Sequence, residues 1–207
     1  MPVIAVMNPK GGVGKSTLAT HIAGLYASQG HEVMLGDVDR QQSSKAWLGL
    51  RPQSVAPIRT WDLGFGLARP PRGVTHVVLD TPAQMPDRKQ SEVLRVVDKV
   101  LVPLQPSIFD ILATREFLDA LRTQLPRAGQ FESRVAVVGM RVDARTRAAE
   151  QLRLFVDQLG VPVVGYLRDT QNYVQLCAHG LTLFDLPESR FEQDRATWAG
   201  LTTWLQS

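Results

Sequence analysis

Lys10, Lys15, Ser16 and Thr17 stand among Gly11, Gly12 and Gly14 in one short stretch, PKGGVGKST, from Pro9 to Thr17. Ammonium groups, hydroxyls and residues without a Cβ in this order suit a phosphate ester. The glycines let backbone N–H groups turn inward around phosphate oxygens, an approach that a Cβ would block. Lys15 would reach the β- and γ-phosphates, and the Ser16 hydroxyl would take a place on Mg²⁺. Three carboxylates lie downstream. Asp37 and Asp39 sit two apart at the end of one apolar run, and Asp80 ends another, Thr75-His-Val-Val-Leu-Asp80. Carboxylates two apart at a strand end point to the same side, so Asp37 and Asp39 could both face the phosphates. One can orient a water in line with the scissile bond, and another can hold a water of the Mg²⁺ shell. Asp80 fits the carboxylate that usually binds beside Mg²⁺, which makes Ser16, Asp37 and Asp80 the expected metal residues. Without the phosphate loop upstream, an aspartate-rich strand end would read as a simple turn or cap.

These residues need elements that hold them together. The apolar run Val3–Met7 has strand length and leads directly into the loop, and Leu18, Ile22, Leu25 and Tyr26 recur behind it at helical spacing up to Gly30. Strand, glycine loop, helix is the context such a loop requires. Glu32–Asp37 reads as a second strand and Gln41–Leu50 as a short helix with Trp47 and Leu48 turned inward. Residues 51–72 read as irregular structure around a short strand near Pro57–Trp61. Beyond the Thr75–Asp80 strand come helices at Ser91–Val97, Ile111–Leu125, Arg145–Leu159, Gln171–His179 and Glu188–Leu205. Strands are expected at Val100–Leu104, Arg134–Met140 and Val161–Tyr166. Such alternation implies an α/β, single-domain P-loop NTPase fold, with a mainly parallel sheet and helices on both faces. Ligands of such sheets bind at the carboxyl ends of the strands, where Pro9–Ser16, Asp39 and Asp80 all fall.

The chain of 207 residues fits one domain of ordinary size, and its 44% hydrophobic and 21% charged residues are close to the soluble average. No apolar run approaches the ~18 residues of a membrane span, and too little precedes the first strand for a signal peptide, so a cytoplasmic protein is expected. Cys177 is the only cysteine, which excludes an intrachain disulfide and a cysteine-held cluster within one chain. Its expected role is structural filler. The net charge of +3 is unevenly spread. From Arg122 to Arg168 there are eight arginines (122, 127, 134, 141, 145, 147, 153 and 168) against four acids, Glu132, Asp143, Glu150 and Asp157.

A lysine just before the glycine pair, with Pro9 in place of the usual first glycine, resembles the deviant phosphate loop of the ParA/MinD family of partitioning and positioning ATPases. The resemblance implies ATP and Mg²⁺ as cofactors and an ATP-dependent homodimer in which Lys10 crosses to the partner's phosphates. DVDRQ is similar to the family's D-x-D-P-Q segment, whose second aspartate, here Asp39, is tied to hydrolysis; Arg40 replaces its proline. Thr81-Pro-Ala-Gln resembles the second switch, and Val102–Asp110 the proline-rich turn near the dimer interface. Tyr166–Asp185 is similar to the late loop and helix, where Leu167 to Asp169 border the base. Gly139, Met140 and Arg141 stand where an asparagine often reads adenine, so ATP is inherited from the family here. The resemblance thus implies catalytic roles for Lys10, Lys15 and Asp39. Nucleotide contacts are implied for Gly11, Gly12, Val13, Gly14, Lys15, Ser16, Thr17, Arg141, Leu167 and Asp169.

ParA-like members bind DNA without sequence preference, whereas MinD-like members use a terminal amphipathic helix on membranes. Arg141, Arg145, Arg147 and Arg153, joined by Arg168, could form a cationic DNA-binding surface when two copies meet, with salt-sensitive phosphate contacts. The plainer alternative is a set of scattered exposed charges. Phe191, Trp198, Leu201, Trp204 and Leu205 share roughly one face of the last helix, but its other face carries Glu188, Glu192 and Asp194 against Arg190 and Arg195. Packing on the sheet is therefore expected, and no membrane partner. The expected protein is a nucleoid-associated ATPase, stimulated by a ParB-like or cargo-adaptor partner, that segregates a plasmid, a chromosome region or a protein assembly. The rivals are a MinD-like membrane-associated ATPase and a metabolic ligase or amidase on the same fold. The latter would need an acceptor pocket that no second polar set at a strand end supplies. With no helix-turn-helix ahead of the first strand, self-regulation of transcription is not expected.

Overall fold

A computed structural model describes residues 1–61, 71–125, 127 and 129–207. In chain order the elements are β1 (Val3–Val6), α1 (Lys15–Ser28), β2 (Val33–Asp37), α2 (Ser43–Leu50), β3 (Ile58–Trp61), β4 (His76–Asp80), α3 (Asp87–Val96), β5 (Lys99–Leu104), α4 (Ile108–Gln124), α5 (Gln130–Arg134), β6 (Val135–Val142), α6 (Arg147–Val156), β7 (Val163–Arg168), α7 (Gln171–Ala178), α8 (Glu192–Ala196) and α9 (Ala199–Gln206). Short 3₁₀ turns occupy Leu183–Asp185 and Glu188–Arg190. Among the described residues the sheet has seven strands in the order β3-β2-β4-β1-β5-β6-β7, all paired in parallel. β1 lies between β4 and β5, where the chain reverses its direction of travel across the sheet, and a crevice opens there beyond the strand ends.

Both faces of the sheet are covered, which is why β1 is apolar at every position. Val3, Ala5 and Met7 face a layer containing Val93, Leu118, Leu121, Phe131 and Leu152 from α3, α4, α5 and α6. Ile4 and Val6 face the layer of α1, α2, α7 and α9, with Leu18, Ile22, Trp47, Leu176 and Leu201. α1 is buried on nearly every side from Leu18 to Ala27. A Cβ on its Gly24 would stand 2.4 Å from the Thr182 hydroxyl, so only glycine lets the 3₁₀ turn approach.

The expected single helix over Glu188–Leu205 is interrupted. Asp194, buried to 2% exposure, accepts from Arg168 Nη1 at 2.9 Å and from Asn172 Nδ2, while Arg195 donates to the carbonyls of Leu183 and Leu186. These tertiary partners turn the chain at Thr197–Trp198, driving Trp198 into the core, where its Nε1 donates to Tyr173 Oη at 2.9 Å. Phe191, Trp198, Leu201 and Leu205 are buried, so the expected apolar face does lie against the protein. Among the described residues no helix is long and apolar enough to cross a membrane. The irregular stretch expected over residues 51–72 contains β3; its residues 62–70 lie outside the described residues.

His21 is fully buried beside Tyr173 and Trp198, its Nδ1 donating to the Thr17 carbonyl at 2.9 Å and its Nε2 without a partner. Burial pushes the imidazole down to about 4 from its ordinary 6.5, against smaller opposing effects of the Thr17 carbonyl and Asp185. Between those values the unfolded chain binds a proton that the folded chain refuses, so stability falls as pH falls from 6.5 to 4, by about 3 kcal/mol. His21→Phe should remove that part of the acid destabilisation. Denaturant melts at pH 7 and pH 4 would contradict this assignment if parent and variant lost stability in parallel.

Candidate nucleotide-binding site

The loop after β1 is held from several sides. Asn8 accepts from the Lys10 N–H at 2.8 Å and donates to the Pro103 carbonyl at 2.8 Å and to Thr114 Oγ1 at 3.0 Å, fastening the loop to β5 and α4. Gln105 Nε2 donates to the Gly12 carbonyl at 3.0 Å. Gly14 adopts φ +97°, so the backbone turn requires glycine, and the flexible end of Met140 lies close by, 2.9 Å from where a Cβ would stand. α1 begins directly after it.

Lys15 is buried to 8% exposure, with its Nζ donating to the Lys10 carbonyl at 2.7 Å. Burial lowers its pKa, while the nearby charges of Asp80 and Asp39 raise it. The sequence-predicted catalytic lysine and two of the three predicted carboxylates therefore share one electrostatic neighbourhood. Lys10 points elsewhere: its side chain is 40% exposed and its Nζ lies 3.8 Å from Asp110 at the start of α4.

Asp80 and Asp37 are register partners at the ends of β4 and β2. Burial pushes the Asp80 carboxyl up to about 6, with Asp37 acting in the same direction and Ser16, Ser44 and Lys15 opposing. Its Oδ1 has no hydrogen-bond partner. A buried carboxylate oxygen without a partner, beside the loop's serine hydroxyl, is the oxygen donor set of a hard divalent cation, so Ser16 and Asp80 fit Mg²⁺. Asp37 is engaged differently. Its Oδ2 accepts from Ser44 N at 2.9 Å, Ser44 Oγ at 2.9 Å and Lys45 N at 3.3 Å, and its Oδ1 accepts from Asp39 N at 3.0 Å. It thus caps the first turn of α2 and shapes the turn that carries Asp39. Asp39 Oδ1 accepts from Gln41 N at 3.0 Å. On the other side Thr81 Oγ1 donates to the Val6 carbonyl at 2.8 Å, tying the turn after Asp80 to β1.

A cavity of about 350 Å³ opens beside Gly14 and Thr17 and is walled by Met140, Leu167, Arg141 and Asp169. Five of the expected nucleotide residues meet there: Gly14, Thr17, Arg141, Leu167 and Asp169. Gly11, Gly12, Val13 and Ser16 lie on the adjoining loop and helix start. The arginines expected to meet DNA are differently placed. Arg145 pairs with Asp143 on the surface at 2.9 Å, Arg153 lies over the Tyr166 ring at 5.5 Å, and Arg168 reaches Asp194. Arg147 begins α6, and Arg141 borders the cavity. Asn8 and Ser44 were given no role by the sequence because single amides and serines carry no spacing signal, and Gln105 and Met140 entered it only within stretches similar to the family's.

The description "CobQ/CobB/MinD/ParA nucleotide binding domain" matches residues 4–183. The chain belongs to this family. A relative from Gloeobacter kilaueensis, "Maintenance of carboxysome distribution protein A", is 30% identical over 87% of this chain and 83% of its own length. A Cyanothece McdA variant solved in complex with ATP superposes with a TM-score of 0.76 at 15% identity, covering 98% of this chain and 96% of that one. A putative plasmid partition protein from Borrelia burgdorferi bound to AMPPNP gives a TM-score of 0.74 at 15% identity, covering 98% of both chains. Within the ParA/MinD frame, the phosphate loop, Asp80 and the turn after it occupy the strand ends at which this fold binds nucleotides.

Proposed function

We propose that the chain is a Mg²⁺-dependent ATPase of the positioning type. Two copies close around ATP, bind DNA non-specifically in that state, and separate after hydrolysis. The observation that carries this reading is Lys10. It stands in the phosphate loop with its backbone fixed by Asn8, yet its ammonium is directed outward beside Asp110. Around that point Ile108, Phe109 and Leu112 expose 59%, 73% and 48% of their surface, an apolar patch suited to a second copy. A lysine on such a face is placed to reach a partner's phosphates, and Lys15 serves the phosphates of its own chain. Asp39, on the turn held by Asp37, orients the attacking water, and Ser16 and Asp80 hold the cation. Catalysis by positioning and charge alone gives slow turnover that an adaptor can accelerate. The relative named for carboxysome distribution favours a protein assembly as cargo over a plasmid or chromosome region.

Binding to random-sequence DNA is to be measured at several salt concentrations with ATP, with ADP and without nucleotide, for the parent and Lys10→Ala. The expected result is binding with ATP alone that weakens steeply with salt and is lost in the variant. ATP binding without DNA binding under any condition would reject the DNA-linked reading. Co-sedimentation with liposomes would then point to the membrane-associated alternative.

A further inference from the structure

The amide of Asn8, buried to 2% exposure, joins the phosphate loop to α4, and its hydrogen bonds fix which way it points. Nδ2 donates to the Pro103 carbonyl at 2.8 Å and to Thr114 Oγ1 at 3.0 Å, while Oδ1 accepts from the Lys10 N–H at 2.8 Å. A carbonyl only accepts and a backbone N–H only donates, so turning the amide over would set donor against donor and acceptor against acceptor. An aspartate would face the Pro103 carbonyl with an oxygen. The bonds are shielded from water, and a group that loses its partner there bears its full desolvation cost.

Thr114 is fully buried, on the same helix as the exposed Ile108, Phe109 and Leu112. α4 therefore reaches Lys10 twice. Thr114 holds its backbone through Asn8, and Asp110, one turn earlier, stands 3.8 Å from its ammonium. The Lys10 carbonyl is engaged as well, by Lys15 Nζ at 2.7 Å. With both backbone polar groups held by side chains, the place from which the Lys10 side chain sets out is fixed relative to α4. Contacts with a chain's own phosphates come from the loop beyond Lys10 and from Lys15, whereas reach toward a second copy needs Lys10 in register with the apolar face of that helix. A small misplacement of such a group is expensive.

We propose that Asn8 and Thr114 are positioning residues for the pairing of two copies: they lock the backbone of Lys10 to α4, so that the lysine and the apolar face meet a second copy as one unit. This rests on the reading of Lys10 as reaching a partner's phosphates. The test compares the parent with Thr114→Val, Thr114→Ser and Asn8→Ala. Valine keeps the branched shape without the hydroxyl, and serine keeps the hydroxyl. Isothermal titration with ADP and Mg²⁺ reads the site of a single chain. Sedimentation velocity over a range of protein concentrations, with a non-hydrolysable ATP analogue and Mg²⁺, reads pairing. Thermal melts check folding, and should Asn8→Ala not fold, the two threonine variants decide by themselves.

Thr114→Val should keep ADP affinity within about threefold and weaken pairing about tenfold, because a buried hydrogen on Asn8 Nδ2 is left unpaired and the link to α4 is cut. Thr114→Ser should pair like the parent, and Asn8→Ala less well than Thr114→Val. Unchanged pairing in Thr114→Val would overturn the proposal. So would ADP affinity falling in step with pairing, since the bonds would then only support the loop. A serine variant as weak as the valine one would also overturn it, because packing and not the hydroxyl would be the cause. A parent that does not pair with the analogue, whether or not it binds ADP, would remove the reading of two copies, and this inference with it.

Discussion

Lys15→Ala is expected to lower nucleotide affinity by at least about a hundredfold. Charge-assisted hydrogen bonds to phosphate contribute about 1.5–3 kcal/mol each, and two lost together amount to about 3 kcal/mol or more. Lys15 suits this role because it is buried to 8% exposure at the base of the loop. Its ammonium also lies in the field of Asp80 and Asp39, which both act to raise its pKa. In the variant those carboxylates would face incoming phosphate without that counter-charge. Lys15→Arg should restore little, since a planar fork does not fit where Nζ now reaches the Lys10 carbonyl at 2.7 Å. Isothermal titration with ATP and Mg²⁺ measures the effect, and a change under about threefold would remove Lys15 from the phosphate site.

Arg51→Ala should destabilise the fold by about 3–5 kcal/mol, the usual effect of breaking a buried ion pair from one side. The side chains of Arg51 and Asp185 are 5% and 1% exposed and meet through two hydrogen bonds, at 2.6 and 2.9 Å. Arg51 also donates to the carbonyls of Ala56 and Gly180, and Asp185 also accepts from the Thr182 N–H and hydroxyl. One guanidinium thus joins the end of α2, the approach to β3, the end of α7 and the 3₁₀ turn. Gly180 allows this closeness: it adopts φ +67°, and a Cβ there would stand 2.4 Å from the Leu50 carbonyl carbon. For a chain of this size the loss corresponds to a melting temperature lower by about 10 °C. A double variant, Arg51→Met with Asp185→Leu, should recover much of it, because a buried pair replaced on both sides by apolar groups leaves no charge unpaired. A fall of less than about 1 kcal/mol in Arg51→Ala would show that water or movement of the turn compensates Asp185. Because the other end of α2 is capped by Asp37, the single variant is also expected to weaken the turn that carries Asp39.

The phosphate loop, the apolar strands with their terminal aspartates and the parallel α/β layering were legible in the residues themselves. Each is a local property. Glycines permit positive φ wherever they stand, a strand buried on both faces is apolar at every position, and helix periodicity repeats within a few turns. What distant parts of the chain do to one another was decided only in three dimensions. The oxygens of Asp37 hold the start of α2, a use that depends on how Ser44 folds back beneath it. The last helical stretch carried the right apolar face but is broken, because Asp194 and Arg195 find partners up to 26 residues away. The arginine cluster read from composition is divided among a surface ion pair, an aromatic ring and the buried Asp194. Arg51 and Asp185 are 134 residues apart, and Arg141 and Asp169 meet at one cavity only because β6 and β7 are neighbours. Sequence by itself determined the glycine turns of the phosphate loop and the apolar runs that become buried strands, since those follow from each residue's own sterics and polarity. The tertiary structure chose the partner of every charged group, since Coulomb and hydrogen-bond energies depend on separations that only the packed chain sets.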